Sequence, residues 1–369
     1  MNIIEISRNE GLVVAGPCKI IIKDGSIFIQ GIEINEKIEI KDNKSFTVYT
    51  LNNLSKIETD CNIIAKSHEA LLWHKIAEDI VKTRGTIIVL GEVDSGKSYF
   101  SNMICNISEI ECLYVDSDIG QSSLFIPTFL AASKEAHMTL NPRERKISEL
   151  QFFGDITPTS NPQLHVSLVT RLLEKNRSNI NVIDTDGWLK GFRAYRHKLE
   201  LLNFVNPDYI ISFSKELIEY LPSFFRNRTI SINKPNYIKK RSVNDRKKYR
   251  SKLYKDYFSN SVINEIELSY LFGKKIANYL FIALNELIQF IKEEPCTGYI
   301  IDYNDVNRLI LGLTKSGNII GAGLLVEIKE DRALISTPVK DFEGIILGRI
   351  SLNENFEERR IRIKRCSNT

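Results

Sequence analysis

The stretch TIIVLGEVDSGKSYF, residues 86–100, leaves few folds open. Five residues of strand character run into Gly91-Glu92-Val93-Asp94-Ser95-Gly96-Lys97-Ser98, followed by Tyr99; the eight residues satisfy G-x-x-x-x-G-K-[ST] with a strand before and a helix after. The glycines let the backbone curl until successive N–H groups converge on phosphate oxygens. The helix opening near Lys97 adds its positive N-terminal dipole, Lys97 reaches the β- and γ-phosphates, and the Ser98 hydroxyl suits Mg²⁺. The residues therefore predict a phosphate-binding loop (P-loop) fed by a strand of a mostly parallel sheet.

The surroundings agree. Residues 1–60 read as short strands (LVVAG, KIIIKDG, SIFIQG, KIEIKD, SFTVYTL) parted by turn formers, which suits a small β-sandwich or β-roll. SHEALLWHKIAEDIVKTRG carries apolar residues at helical spacing and predicts a helix stopping at Gly85. From residue 86 strands alternate with helices: TIIVL, ECLYVD, LQFFG, INVID and YIISF are the candidate strands. The apolar run NEIELSYLFGKKIANYLFIALNELIQFIKEE, residues 264–294, predicts a closing helix. Beyond it β character returns. The expected organisation is an N-terminal β-domain over 1–66, a connecting helix over 67–85, a doubly wound α/β P-loop domain over 86–293 and a C-terminal β-domain over 296–369.

Charge is distributed unevenly. The net charge is +4, yet residues 239–255 hold nine Lys or Arg against one Asp, so the remainder is mildly acidic. Such a segment is a solvated helix face or a surface for an anionic partner. Arg246 and Arg250, four residues apart, share one helix face, and Arg241 extends the cluster. The six cysteines and five histidines show no metal spacing, so the cysteines read as reduced, buried thiols. Apolar runs are broken by charge well before the roughly 18 residues of a membrane span. The N-terminal residues include Glu5 and Arg8 and form no secretory signal, so the expectation is a cytoplasmic protein.

Three further motifs fall where strand ends should meet a ligand. LYVDSDIGQ puts Asp116 at the end of an apolar strand with Asp118 two residues on and Gln121 beyond. One carboxylate can support a metal while the other takes a proton from an acceptor hydroxyl. FFGDITP presents Thr157. VIDTDGWLKG presents Trp188, either a core aromatic or a platform for a nucleobase.

Taken in order, these motifs resemble the polynucleotide 5′-hydroxyl kinase family, which includes the kinase subunit of the pre-mRNA cleavage factor, ribosomal-RNA-processing kinases and single-chain archaeal relatives. GEVDSGKS looks like its P-loop and VDSDIGQ like its Walker B motif. FFGDITPTSNPQLHV is similar to its clasp, VIDTDGWLKG to its Trp motif, RSVNDRKKYR to its arginine lid, here expected near 239–257. The resemblance implies ATP, or another nucleoside triphosphate, and Mg²⁺ as cofactors, and RNA 5′-OH ends, with DNA as a further acceptor, as substrate.

It also implies roles. Residues 91–99 bind the nucleotide, and Ser98 and Asp116 the metal. Asp118 orients or deprotonates the 5′-hydroxyl beside Asp116 and Gln121. Thr157 fixes the RNA end, Trp188 stacks on the terminal base, and Arg246 and Arg250, with Arg241, close over the γ-phosphate. Asp94 holds Lys97 off the phosphates until substrate arrives. Asp184 and Asp186 depart from the more neutral family motif and add acid near a polyanion site. The rival expectations are an ATP-bound RNA-processing scaffold without turnover and a P-loop hydrolase with water as acceptor. No protein partner is legible.

Overall fold

Along Leu54–Thr59 every second residue, Ser55, Ile57 and Thr59, is buried, the period of a strand with one face on a core. Such strands build the N-terminal region as two antiparallel sheets. One has the order Asn2–Ser7, Leu54–Thr59, Cys18–Asp24, Lys37–Ile40. The other runs Ile32–Ile34, Ile27–Ile29, Ser45–Tyr49, Gly11–Ala15, Asn62–Ser67. Ile6, Leu12, Val14, Ile20, Ile29, Val48 and Ile57, drawn from both sheets, form one apolar cluster.

The computed structural model describes all but residues 9, 43, 235–236, 238–240, 268–278, 283–285, 290–298, 302–305, 330–331 and 366–369. The chain divides into two units interleaved in sequence. The first holds Met1–Val115, Ser133–Lys146 and Asn176–Lys240, and the second Asp116–Ala132, Ile147–Lys175 and Arg241–Thr369.

In the first unit, helix Glu69–Thr83 buries Ala70, Trp73, Ala77 and Ile80, the three- and four-residue steps of one helical face. Its stop differs from the sequence reading. Arg84 makes the left-handed turn at φ 62°, and Gly85 already begins the next strand. A Cβ at Gly85 would lie 2.6 Å from a carboxylate oxygen of Asp208. That carboxylate accepts the Thr86 amide at 2.7 Å, so glycine is needed there for close approach.

Strand Gly85–Leu90 pairs in parallel with Ile180–Asp184 and with Tyr209–Ser212, which pairs in parallel with Thr229–Ser231. Cys112–Asp116 adds on the far side of Ile180–Asp184. The P-loop strand is thus interior, buried from Thr86 to Leu90, with its carboxyl end among the ends of its neighbours. The α/β class is as expected. Thr229–Ser231, three residues long, gave no pattern strong enough to predict. LQFFG belongs to strand Ile147–Phe152, which pairs antiparallel with Asn318–Lys329.

The second unit is built on an antiparallel sheet ordered Val262–Glu267, Arg332–Thr337, Asn318–Lys329, Leu309–Lys315, Gly344–Leu352, Glu358–Arg360. Helix Val243–Phe258 buries Tyr254 and Phe258 in a cluster with Phe129, Phe152, Ile310, Leu324 and Ile350.

Two expectations need correction. The predicted closing helix over 264–294 is absent wherever those residues are described. Residues 262–267 pair along six positions with Arg332–Thr337, and Tyr279–Ile282 and Glu286–Gln289 are strands; the rest of that run lies outside the described residues. The β-branched residues of VINEIE take the strand because a partner edge is present, and packing overrides the weak helical spacing. The cysteines are not all thiols either: Cys18 bonds Cys61, and Cys105 bonds Cys112. Both pairs are brought together by strand and helix ends, which spacing does not reveal; Cys296 and Cys366 lie outside the described residues. No helix among the described residues is long and apolar enough to cross a membrane.

Candidate active site

The P-loop is shaped by close contacts that only glycine permits. A Cβ at Gly91 would fall 2.9 Å from the Phe213 Cβ, and one at Gly96 2.8 Å from the Trp73 ring. Gly96 sits at φ 102° as the N-cap of helix Lys97–Ile107, and Asp94 also takes a left-handed turn at φ 59°. The Lys97 ammonium, almost fully buried, donates to the Glu92 carbonyl at 2.8 Å and is turned back into its own loop. The Glu92 carboxylate takes Lys234 at 2.6 Å. Ser98, the second helical residue, is exposed, and the Ser95 hydroxyl is buried without a hydrogen-bond partner.

Beside the loop lies a cavity of about 190 Å³ lined by Val13, Phe46, Trp73, Asp94, Gly96 and Tyr99 among others. Its walls are mostly apolar and aromatic, and the buried Trp73 indole N–H has no partner. Trp73 meets Tyr99 edge-on at 6.0 Å. The Tyr99 hydroxyl donates to the Thr47 carbonyl at 3.5 Å, and burial holds it protonated far above the usual phenol range. A mostly apolar, aromatic-lined cavity beside a phosphate loop suits a nucleobase.

The Trp motif is in the same unit. Thr185 donates to the Val89 carbonyl at 2.6 Å, tying the ends of neighbouring strands. A Cβ at Gly187 would lie 2.6 Å from the Val93 amide nitrogen, so this loop packs directly on the P-loop. The Trp188 amide donates to Asp186, and the Trp188 ring lies over His197, centroids 5.4 Å apart at 30°. Of the acid expected to disturb this site, the charge of Asp186 is compensated by the fully buried Lys198 ammonium at 2.6 Å, while Asp184 accepts a hydrogen bond from the neutral Tyr114 hydroxyl at 3.1 Å.

The second unit holds the carboxylates, clasp and lid. The two aspartates differ sharply. Asp116 is buried and accepts from the Ser122 hydroxyl at 2.9 Å and from the amides of Ser123, Leu124 and Asp118 at 2.6, 3.0 and 3.2 Å. Burial still raises its pKa against those bonds. Asp118 is half-buried, and one oxygen accepts the amides of Gly120 and Gln121 at 3.0 and 2.9 Å. Asp116 thus organises the loop while Asp118 presents the more exposed carboxylate. A Cβ at Gly120 would meet the Ile156 carbonyl at 2.7 Å, which sets this loop and Gln121 against the clasp at Thr157. The Thr157 hydroxyl caps the short helix Pro158–Ser160 by accepting from the Thr159 amide.

Sequence reasoning overlooked His165. On helix Pro162–Asn176 and fully buried, its Nε2 lies 2.8 Å from the Ser117 carbonyl, between the two aspartates. Its place near the end of the clasp segment FFGDITPTSNPQLHV, one turn into this helix, was the available signal.

In the lid, helix Val243–Phe258 opens with a reciprocal cap between Ser242 and Asp245. Arg241 precedes it, exposed, and Arg246 is half-buried. Arg250 is held by Glu358 through two hydrogen bonds, Nε to Oε2 at 2.9 Å and a second from the terminal nitrogen. Lys247 pairs with Glu357 at 3.3 Å. The P-loop is therefore brought together with Trp188 in one unit, and Asp116, Asp118 and Gln121 with Thr157 in the other.

Residues 91–260 match the family model described as the mRNA cleavage and polyadenylation factor CLP1 P-loop. The chain is 26% identical over 358 residues to a protein of Methanocaldococcus jannaschii named polyribonucleotide 5′-hydroxyl-kinase, covering 83% of this chain and 97% of that one. It is 27% identical over 326 residues to the likewise named protein of Pyrococcus horikoshii, covering 75% and 89%. A solved structure of the wild-type Clp1p–Pcf11p complex is similar with a TM-score of 0.66 at 13% identity, over 95% of this chain and 97% of that one, a likeness of fold.

Proposed function

We propose that this chain, which carries the CLP1-family P-loop domain over residues 91–260, is an ATP-dependent polynucleotide 5′-hydroxyl kinase acting on RNA ends. The observation that carries the reading is the likeness to archaeal polyribonucleotide 5′-hydroxyl-kinases across 75–83% of the chain, with each chemical motif present at its residue. The Gly91–Ser98 loop fits a triphosphate tail, and the adjoining apolar cavity fits its base.

The reaction is an in-line displacement. An oxygen lone pair of the 5′-hydroxyl forms the bond to the γ-phosphorus, the bond to the β–γ bridging oxygen breaks, and ADP leaves. Asp118 orients the hydroxyl and takes its proton. Lys97, released from the Glu92 carbonyl, follows the β- and γ-phosphates, and Arg246 neutralises charge on the transferred group. The exposed Ser98 hydroxyl would ligate Mg²⁺, with Asp116, whose oxygens are engaged by its own loop, reached through the metal's water shell. The ion would supply further charge neutralisation. Thr157 holds the acceptor end and Trp188 its first base.

The test is transfer from γ-labelled ATP to 5′-OH RNA and DNA oligonucleotides beside Lys97→Ala and Asp118→Asn. Label at the 5′ end, lost in both variants, is expected. Undiminished labelling by Asp118→Asn would remove the assigned base.

A further inference from the structure

Among the described residues no large apolar side chain is more exposed than Phe192, at 80%. It lies four residues after Trp188 and opens helix Phe192–Val205. Around it the loop is firmly built. Leu189, Ala194, His197 and Lys198 are buried, the Trp188 amide is bonded to Asp186, and Lys198 anchors that carboxylate. Between these anchors the chain turns outward at Gly191, φ 89°, where an added Cβ would meet nothing within 4 Å. The loop tip thus shows solvent one phenyl ring flanked by two exposed cations, Lys190 and Arg193.

We propose that Phe192, with Lys190 and Arg193, is a second base-stacking platform that takes the nucleobase following the 5′-terminal one in a single-stranded polynucleotide. This rests on the kinase reading, in which Trp188 takes the first base. An exposed ring four residues along the same loop from an aromatic already assigned to a base extends that loop's contact to the next nucleotide. Every base has a π-face, so the contact tolerates any sequence. The two cations decide the class of occupant: they complement a phosphodiester backbone and disfavour the apolar protein face that would otherwise suit an exposed phenyl.

The experiment compares 5′-OH acceptors carrying one base, two bases, or two residues of which the second is abasic, in the full-length protein. Wild type is expected to favour the two-base acceptor. Phe192→Ala should raise its KM about tenfold, the size of one lost base–aromatic stack, and bring it level with the abasic acceptor. Phe192→Tyr should restore it. Phe204→Ala, a phenyl 68% exposed at the far end of the same helix, serves as the control and should change nothing. Binding of the same acceptors by fluorescence anisotropy separates the two readings. If no acceptor is phosphorylated, the kinase assignment fails, while a Phe192→Ala loss of affinity still supports the platform. Unchanged KM and affinity in Phe192→Ala would overturn the platform and leave a protein surface as the better account of the exposed ring.

Discussion

Arg250 and Glu358 meet through two hydrogen bonds with side chains only 11% and 10% exposed. Sequence placed Arg250 with Arg246 as a lid arginine, yet its charge is already met. Removing one member of a buried pair strands the other and costs about 3–5 kcal/mol. Glu358→Ala should therefore lower the stability of the second unit by that amount in urea unfolding, with Arg250→Ala costing a similar amount. Arg246→Ala should lower kcat, in keeping with the role assigned to it over the transferred phosphoryl group. If Arg250→Ala leaves stability intact and abolishes turnover, its pairing with Glu358 is not its main role.

Gly187 tests the coupling of the Trp loop to the P-loop. A methyl there would press on the Val93 amide nitrogen at 2.6 Å, which is backbone and cannot rotate away. Such overpacking costs about 1–3 kcal/mol. Gly187→Ala should weaken ATP binding, measured by calorimetry, with little change in far-UV circular dichroism. Unaltered ATP affinity would show that the two loops move independently.

Asp94 occupies a left-handed turn in the P-loop while Lys97 is drawn back onto the Glu92 carbonyl. If Asp94 helps restrain Lys97, Asp94→Ala should raise ATP hydrolysis in the absence of acceptor several-fold. The assay is phosphate release without oligonucleotide, and a rate equal to wild type would dismiss the restraint.

His74 makes stability depend on pH. Its ring shares a 2.8 Å hydrogen bond with the Tyr49 hydroxyl, which burial keeps protonated. Burial lowers the His74 pKa, against the opposing pull of Glu78. The unfolded chain then binds more protons than the folded one between the lowered value and about 6.5. The contribution is full above about 6.5 and is lost as pH falls through that window. Urea midpoints should therefore drop between pH 7.5 and 5.5 by more in wild type than in His74→Gln. Parallel profiles would assign the loss elsewhere.

The P-loop, the Asp116–Asp118 turn, the clasp and the Trp loop were legible because each is a contiguous motif whose chemistry needs particular residues a few positions apart. What escaped the sequence depends on distant partners. Glu358 is more than a hundred positions from Arg250, and Lys198, on the following helix, neutralises Asp186 from 12 positions away. His165 reaches back 48 residues to Ser117. The run from residue 264 has apolar spacing compatible with a helix, and only the edge offered by Arg332–Thr337 makes its first residues a strand.

The central claim is that the γ-phosphate of ATP goes to a 5′-hydroxyl. Single-turnover reaction of the protein with γ-labelled ATP, Mg²⁺ and one oligonucleotide supplied in matched 5′-OH and 5′-phosphate forms tests it most directly. The predicted result is label on the 5′-OH strand alone, with inorganic phosphate a minor product in both reactions. Equal phosphate release with either strand and no labelled end would mark a hydrolase, and bound, unconsumed ATP a scaffold; either would contradict the account.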